Sequence, residues 1–168
     1  MARTRSTVRE GIVVGLIGFT AVALFYTLFD LLAGQGFLFT LNLLGKVIFR
    51  GVRDPAVLQL PIARDVGAMA AYNCLHLVVS MAVGLFVSWL VDLVEESPRR
   101  GRPVALVMAA GYVATVSAVA LFARDVAPLI PFWSVVAVNT LAALGGGLYL
   151  WRTHPGLWGR VRAGGKPA

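Results

Sequence analysis

The sequence predicts an all-α, polytopic membrane protein: four transmembrane helices in a bundle, with a short amphipathic helix, interfacial or re-entrant, in the first outer loop. Three observations carry this expectation. Of the 168 residues, 58% are hydrophobic and 14% charged, whereas soluble domains average roughly 45–50% and about 25%; mean hydropathy is +0.80. Four stretches reach the length of about 20 mostly apolar residues that a hydrocarbon core demands. Between them stand prolines and charged residues where a bundle would turn.

The first span is expected over 11–32, directly after Arg3, Arg5 and Arg9. It is too long for the apolar region of a signal peptide and no A-x-A site follows, so it is expected to remain as an anchor. Leu31-Leu32-Ala33-Gly34 resembles a lipoprotein box, but Gln35 stands where the cysteine would be. A short helix is expected over 41–50, with Thr40 as N-cap and Gly51 as its stop. Asn42, Lys46 and Arg50 share one face there and Leu44, Val47 and Ile48 the opposite one, the pattern of a helix lying in the interface. Asp54-Pro55 would start a further short turn. The second span is expected over 66–91, the third over 104–122 after Pro98 and Pro103, and the fourth over 129–151, with Pro128 and Pro131 at its start and Pro155 beyond its end. The whole chain, 1–168, reads as one integral-membrane domain.

Arginine and lysine set the orientation. Ten of them, Arg3, Arg5, Arg9, Arg99, Arg100, Arg102, Arg152, Arg160, Arg162 and Lys166, fall on the side of both termini; five, Lys46, Arg50, Arg53, Arg64 and Arg124, fall on the other. Both termini are therefore expected in the cytoplasm of a bacterium, with the chain in its inner membrane. Trp89, Trp151 and Trp158 would mark the inner interface and Trp133 the outer one. This division accounts for most of the formal net charge of +7 without a nucleic-acid partner, since the basic residues flank spans and do not gather on one face.

Spans associate through small residues and occasional polar bonds. Each offers such a face: Gly11 and Gly15 in the first, Ala110, Ala114 and Ala118 in the third, Asn139, Ala143 and Gly147 in the fourth. In the second, Tyr72, His76, Ser80, Gly84, Ser88 and Asp92 form a slanted polar and small stripe, expected to face the interior. By depth, Tyr26, Asp30, Tyr72, Asn73, His76 and Asn139 should form a polar cluster in the outer half, with Thr115 and Ser117 able to join. Such a cluster would line a cavity, bind a polar ligand or relay protons from Asp30 to His76; the plainer reading is interhelical hydrogen bonding. Lys46, Arg50, Arg53 and Arg64 are candidate contacts to anionic lipid headgroups or an acidic partner. Asp92, Glu95 and Glu96 are expected to neutralise Arg99, Arg100 and Arg102.

Chemistry is sparsely signalled. The lone Cys74 allows no internal disulfide and no CxxC pair, and no HExxH, P-loop, GxGxxG or GxSxG pattern occurs. No metal site and no cofactor is expected. Haem or chlorophyll-type ligation at His76 is a lesser reading, because His154 lies past the end of the fourth span and Tyr72 replaces the alanine of an AxxxH pattern. The favoured function is a non-enzymatic accessory or structural subunit of a larger membrane complex, such as a respiratory or photosynthetic one, with lipids and other subunits or copies of itself as partners. The alternative is a small oligomeric transporter or channel using the stripe around His76. An interfacial lipid-modifying enzyme ranks last.

Overall fold

In a computed structural model that describes residues 2–52, 54, 62–122, 124–126 and 128–162, the chain is a bundle of four long helices with two short ones. The long helices are α1 (Ala2–Leu32), α3 (Val66–Glu96), α4 (Gly101–Phe122) and α5 (Phe132–Thr153); the short ones are α2 (Phe39–Arg50) and α6 (Leu157–Arg162). Among the described residues four helices are long and apolar enough to cross a membrane, over Thr7–Leu32, Val66–Glu96, Pro98–Leu121 and Phe132–Thr153. At ~1.5 Å per residue, the 31 residues of α3 exceed a hydrocarbon core of ~30 Å. It therefore has turns to spare, and its charged end, with Asp92, Glu95 and Glu96, is the part that hydrocarbon suits least.

Helix boundaries follow local chemistry. Asp65 caps α3, its side chain accepting from the Ala68 N–H. Pro131 disfavours helical geometry at Ile130 before it, and α5 begins at Phe132 rather than at residue 129, with Pro131 as N-cap and its carbonyl accepting from the Ser134 N–H and hydroxyl. Gly51 ends α2 with φ 65°, a left-handed conformation that glycine adopts without steric cost. Gly101 joins a 3-10 turn at Pro98–Arg100 to α4.

The helices are not packed evenly. α1 lies centrally, against α3 on one side and α5 on the other, and α2 packs on the start of α3. The α1–α3 seam is a backbone contact. A Cβ on Gly11 would stand 2.7 Å from Leu85 Cα, one on Gly15 2.7 Å from the Ser80 carbonyl oxygen, and one on Gly84 2.8 Å from Gly15 Cα. The expected small-residue faces of α1 and α3 thus meet each other. On α5, Gly145 and Gly146 turn towards Ile17 and Val14 of α1, while Ala143 and Gly147 are exposed. The expected Asn139–Ala143–Gly147 stripe is consequently not the seam; the buried face runs through Ser134, Val135, Val138, Gly146 and Leu150. Nor is Ala110–Ala114–Ala118 a seam, since all three residues are exposed. Helix α4 is peripheral, with only Val104 and Val116 buried among its described residues.

Two apolar cores close the ends. Phe39, Leu43 and Val47 of α2 pack with Val126, Ile130 and Val135 at one end; Leu90, Val91, Val94, Val104, Leu150 and Leu157 pack at the end bearing the termini. Between them the outside is apolar: Leu106 and Leu121 are 72% exposed. Accessible surface totals 10381 Å², against about 8,000 Å² for a folded soluble monomer of this mass. Lipid, not water, is the solvent such a surface suits.

Candidate functional sites

At the α2 end, polar groups are spent on holding α2. The Asp30 carboxyl, buried at the end of α1, accepts from the Thr40 N–H (2.8 Å) and from the Thr40 hydroxyl (2.5 Å). Sequence reasoning made Thr40 the N-cap; instead a side chain from another helix caps α2. That grip holds Leu38 at φ 66°, a conformation costing a non-glycine residue roughly 1–2 kcal/mol. Asn42 is buried, donating to the Ala63 carbonyl (3.2 Å) and accepting from the Asp65 N–H (2.9 Å). Arg50 pairs with Asp65 in a two-pronged bridge, Nε to Oδ2 at 2.8 Å and Nη2 to Oδ1 at 3.3 Å. The Arg50 guanidinium and the Ala68 N–H hold the Asp65 carboxyl down to about 2, and Asp65 in turn raises Arg50.

The polar face expected to meet headgroups is thus partly turned inward against α3, and Ile48 and Phe49 are exposed instead. The reason is Gly45, where a Cβ would lie 2.6 Å from the Ala68 carbonyl oxygen, so α2 docks on that side. Lys46 is half-buried and Arg64 exposed. Arg53 and the turn expected from Pro55 lie outside the described residues.

Of the six residues expected to form one polar cluster, four fall near one another, Tyr26 beside Asp30 and Tyr72 and Tyr72 against His76, but no hydrogen-bond chain among the described residues joins them. The Tyr26 hydroxyl lies 3.4 Å from Ser134 Oγ, and Asp30 is taken by α2. His76 packs its ring on Phe19, with centroids 5.1 Å apart, and on Tyr72 at 6.2 Å. It makes no hydrogen bond among the described residues. Asn139 donates to the Val135 carbonyl of its own helix, and Asn73 is exposed. Thr115 likewise bonds within its helix, to the Gly111 carbonyl, and Ser117 is exposed. No hydrogen bond among the described residues links Asp30 to His76. The stripe of α3 does face inward, but at Gly84 the α1 backbone packs directly against it. Ser88 Oγ lies beneath, buried and without a hydrogen-bond partner among the described residues.

A second cluster of charged groups sits at the opposite end, and sequence reasoning missed it. His154, the residue capping α5, is buried between two carboxylates: Nδ1 is 2.6 Å from Glu95 Oε1 of α3, and Nε2 is 3.1 Å from Glu10 Oε2 of α1. Burial lowers the proton affinity of this imidazole. The hydrogen bonds to Glu95 and Glu10 and their charges outweigh it, so the balance is raised above the ordinary histidine value. Beside the triad the Thr7 hydroxyl donates to Asp92. Of the three acidic residues expected to neutralise the Arg99–Arg102 run, Glu96 reaches Arg100 at 3.8 Å, Glu95 serves His154 and Asp92 serves Thr7. A signal was available: Glu10 is the only acid among the basic residues before the first span, and a lone acid at a span end calls for a partner. Among the described residues no group of three or more His, Cys, Asp or Glu side chains has the geometry to hold a metal.

The chain is thus an integral membrane protein, a helical bundle with four candidate spans. Comparison with protein-family models, with curated proteins and with solved structures finds no match.

Proposed function

We propose that this chain is a non-enzymatic accessory or structural subunit of a larger membrane complex, respiratory and photosynthetic assemblies being examples, in a bacterial inner membrane with both termini cytoplasmic. The observation that supports it is α4. One side is tied to α5 by the Tyr112 hydroxyl, 2.8 Å from Thr140 Oγ1; the other carries Ala110, Ala114 and Ala118, all exposed. Small residues let another helix approach closely and gain dispersion and backbone contact that lipid chains do not match. Asn73, an exposed amide inside a span, adds a polar group that hydrocarbon leaves unsatisfied and a neighbouring helix satisfies. Orientation rests on the uneven arginine and lysine count. The reading includes lipids and membrane-protein subunits as partners, no cofactor of its own and no nucleic acid.

The test is extraction in digitonin followed by sizing and identification of what copurifies, for the natural chain and for Ala114→Leu. Leucine at an exposed position suits lipid but blocks close helix approach. Stoichiometric copurification of other membrane subunits, lost in Ala114→Leu at unchanged thermal stability, is the expected result. A natural chain that runs as a single copy in both digitonin and lipid nanodiscs refutes the reading.

A small oligomeric transporter or channel is the second reading, favoured by the imidazole of His76 having no hydrogen bond among the described residues. A homo-oligomer with no other chain present would favour it.

A further inference from the structure

We propose that His154, Glu10 and Glu95 form a proton-operated latch that pins the corner between α5 and α6 onto α1 and α3. The argument begins with donors and acceptors. Both ring nitrogens of His154 stand within hydrogen-bond distance of a carboxylate oxygen, 2.6 Å on one side and 3.1 Å on the other. A neutral imidazole has one N–H and one lone pair. Facing two carboxylates, it would set that lone pair against an oxygen lone pair. Only the imidazolium donates on both sides, so one bound proton joins three helices.

Loss of that proton has two local consequences. One hydrogen bond becomes a repulsion, and the charge of the triad goes from −1 to −2 where it is largely shielded from water. Other charged groups stand around the site. On α3, Asp92 is bonded to Thr7 of α1 and Glu96 pairs with Arg100. Arg9 of α1, Arg99 of the following turn, Arg102 of α4 and Arg152 of α5 are exposed at the rim. The sequence of α6 adds Arg160 and Arg162.

The corner it holds is small. Pro155 follows His154 directly and bars the α5 helix from continuing. Beyond it, α6 is attached through Leu157, buried in the apolar core of that end, and through Val161, whose Cγ1 lies 2.7 Å from where a Cβ on Gly101 would be. With the latch protonated the triad adds its hold on the α5–α6 corner to the apolar contacts of Leu157 and Val161. Without the proton the imidazole no longer bridges the two carboxylates, that hold weakens, and the corner loosens.

The test uses the full chain in phosphatidylcholine nanodiscs. Histidine is ¹⁵N-labelled, and spin labels sit at Arg99→Cys and Gly159→Cys in a Cys74→Ser background. The sequence contains two histidines, His76 and His154, so His76→Phe assigns the resonances. The expected result is a doubly protonated His154 at pH 6.5, an imidazole titration above that pH, and a spin–spin distance distribution that is narrow below the titration and broad above it. In His154→Gln the distribution should be broad at every pH. A His154 that titrates at or below pH 6.5, or a natural-latch distribution unchanged through the titration, overturns the proposal. Both readouts come from a chain with the latch intact, so the test stands even if His154→Gln fails to fold.

Discussion

Substituting Gly84 by alanine tests the packing that places every other element. At this position α3 meets α1 backbone to backbone: an added Cβ would lie 2.8 Å from Gly15 Cα and closer still to the Gly11 carbonyl oxygen and the Gly15 nitrogen. Carbon pairs prefer roughly 3.5–4.0 Å, so the helices must separate by about 1 Å. None of these atoms belongs to a side chain that can rotate away. Overpacking of this kind costs about 1–3 kcal/mol, here towards the upper end. Alanine returns up to about 1 kcal/mol through helix propensity, which leaves a net loss of about 2 kcal/mol, or roughly thirtyfold in the unfolding equilibrium. Gly111→Ala is the control, since nothing lies within 4 Å of a Cβ there; only the propensity gain applies, and stability should hold or rise. Reversible unfolding in mixed micelles, followed by tryptophan fluorescence, measures both. Equal stabilities for Gly84→Ala and Gly111→Ala would refute the seam. Gly84→Ala should also loosen the His154 triad, because Glu10 adjoins Gly11 and the same separation moves Glu10 away from Glu95.

Two further predictions concern the opposite end. Asp30→Ala leaves the buried Thr40 N–H and hydroxyl without their partner, which costs about 2 kcal/mol; hydrogen exchange over 39–50 should quicken selectively, and uniform exchange across the chain would contradict the cap. Asp65 is held down to about 2 by Arg50 and the Ala68 N–H. A depressed carboxylate contributes stability that is present above the unfolded value near 3.8 and lost as pH falls through about 2. Amide protection at the α2–α3 corner should therefore decline between pH 4 and pH 2 in the natural chain, and Asp65→Asn should flatten that dependence.

How far the sequence carries is visible residue by residue. Pro131 and Gly51 bound helices in the structure because their effect is local, through a fixed φ in one case and a permitted left-handed turn in the other. Gly11, Gly15 and Gly84 were legible as contact candidates because small residues at that spacing permit close helix approach. Asn42 and Arg50 were read as the polar face of an interfacial helix because periodicity reports which residues share a side of a helix, not what that side meets. Ala110, Ala114 and Ala118 carry the same small-residue signature as the real seam, yet they point outward. Nothing within α4 distinguishes a face used inside the chain from one left to lipid.

The sequence by itself determined the class of molecule. Spanning is a property of one segment at a time: a helix satisfies its own backbone hydrogen bonds, and about 20 apolar residues suffice to bury it in hydrocarbon. The sequence also marked helix ends where the signal is local, as at Gly51 and Asp65, whereas α2 owes its start to Asp30 of another helix. Only the tertiary structure decided which faces meet. It put α1 at the centre and α4 outside, set Asp30 on the first turn of α2, and brought His154 to Glu95 and Glu10 across sequence separations of 59 and 144 residues. The physical reason is that hydrophobicity, which drives insertion, does not discriminate between helices already in lipid. Their arrangement is chosen by close backbone approach and by a few polar groups that must find each other, and those depend on all of the helices together.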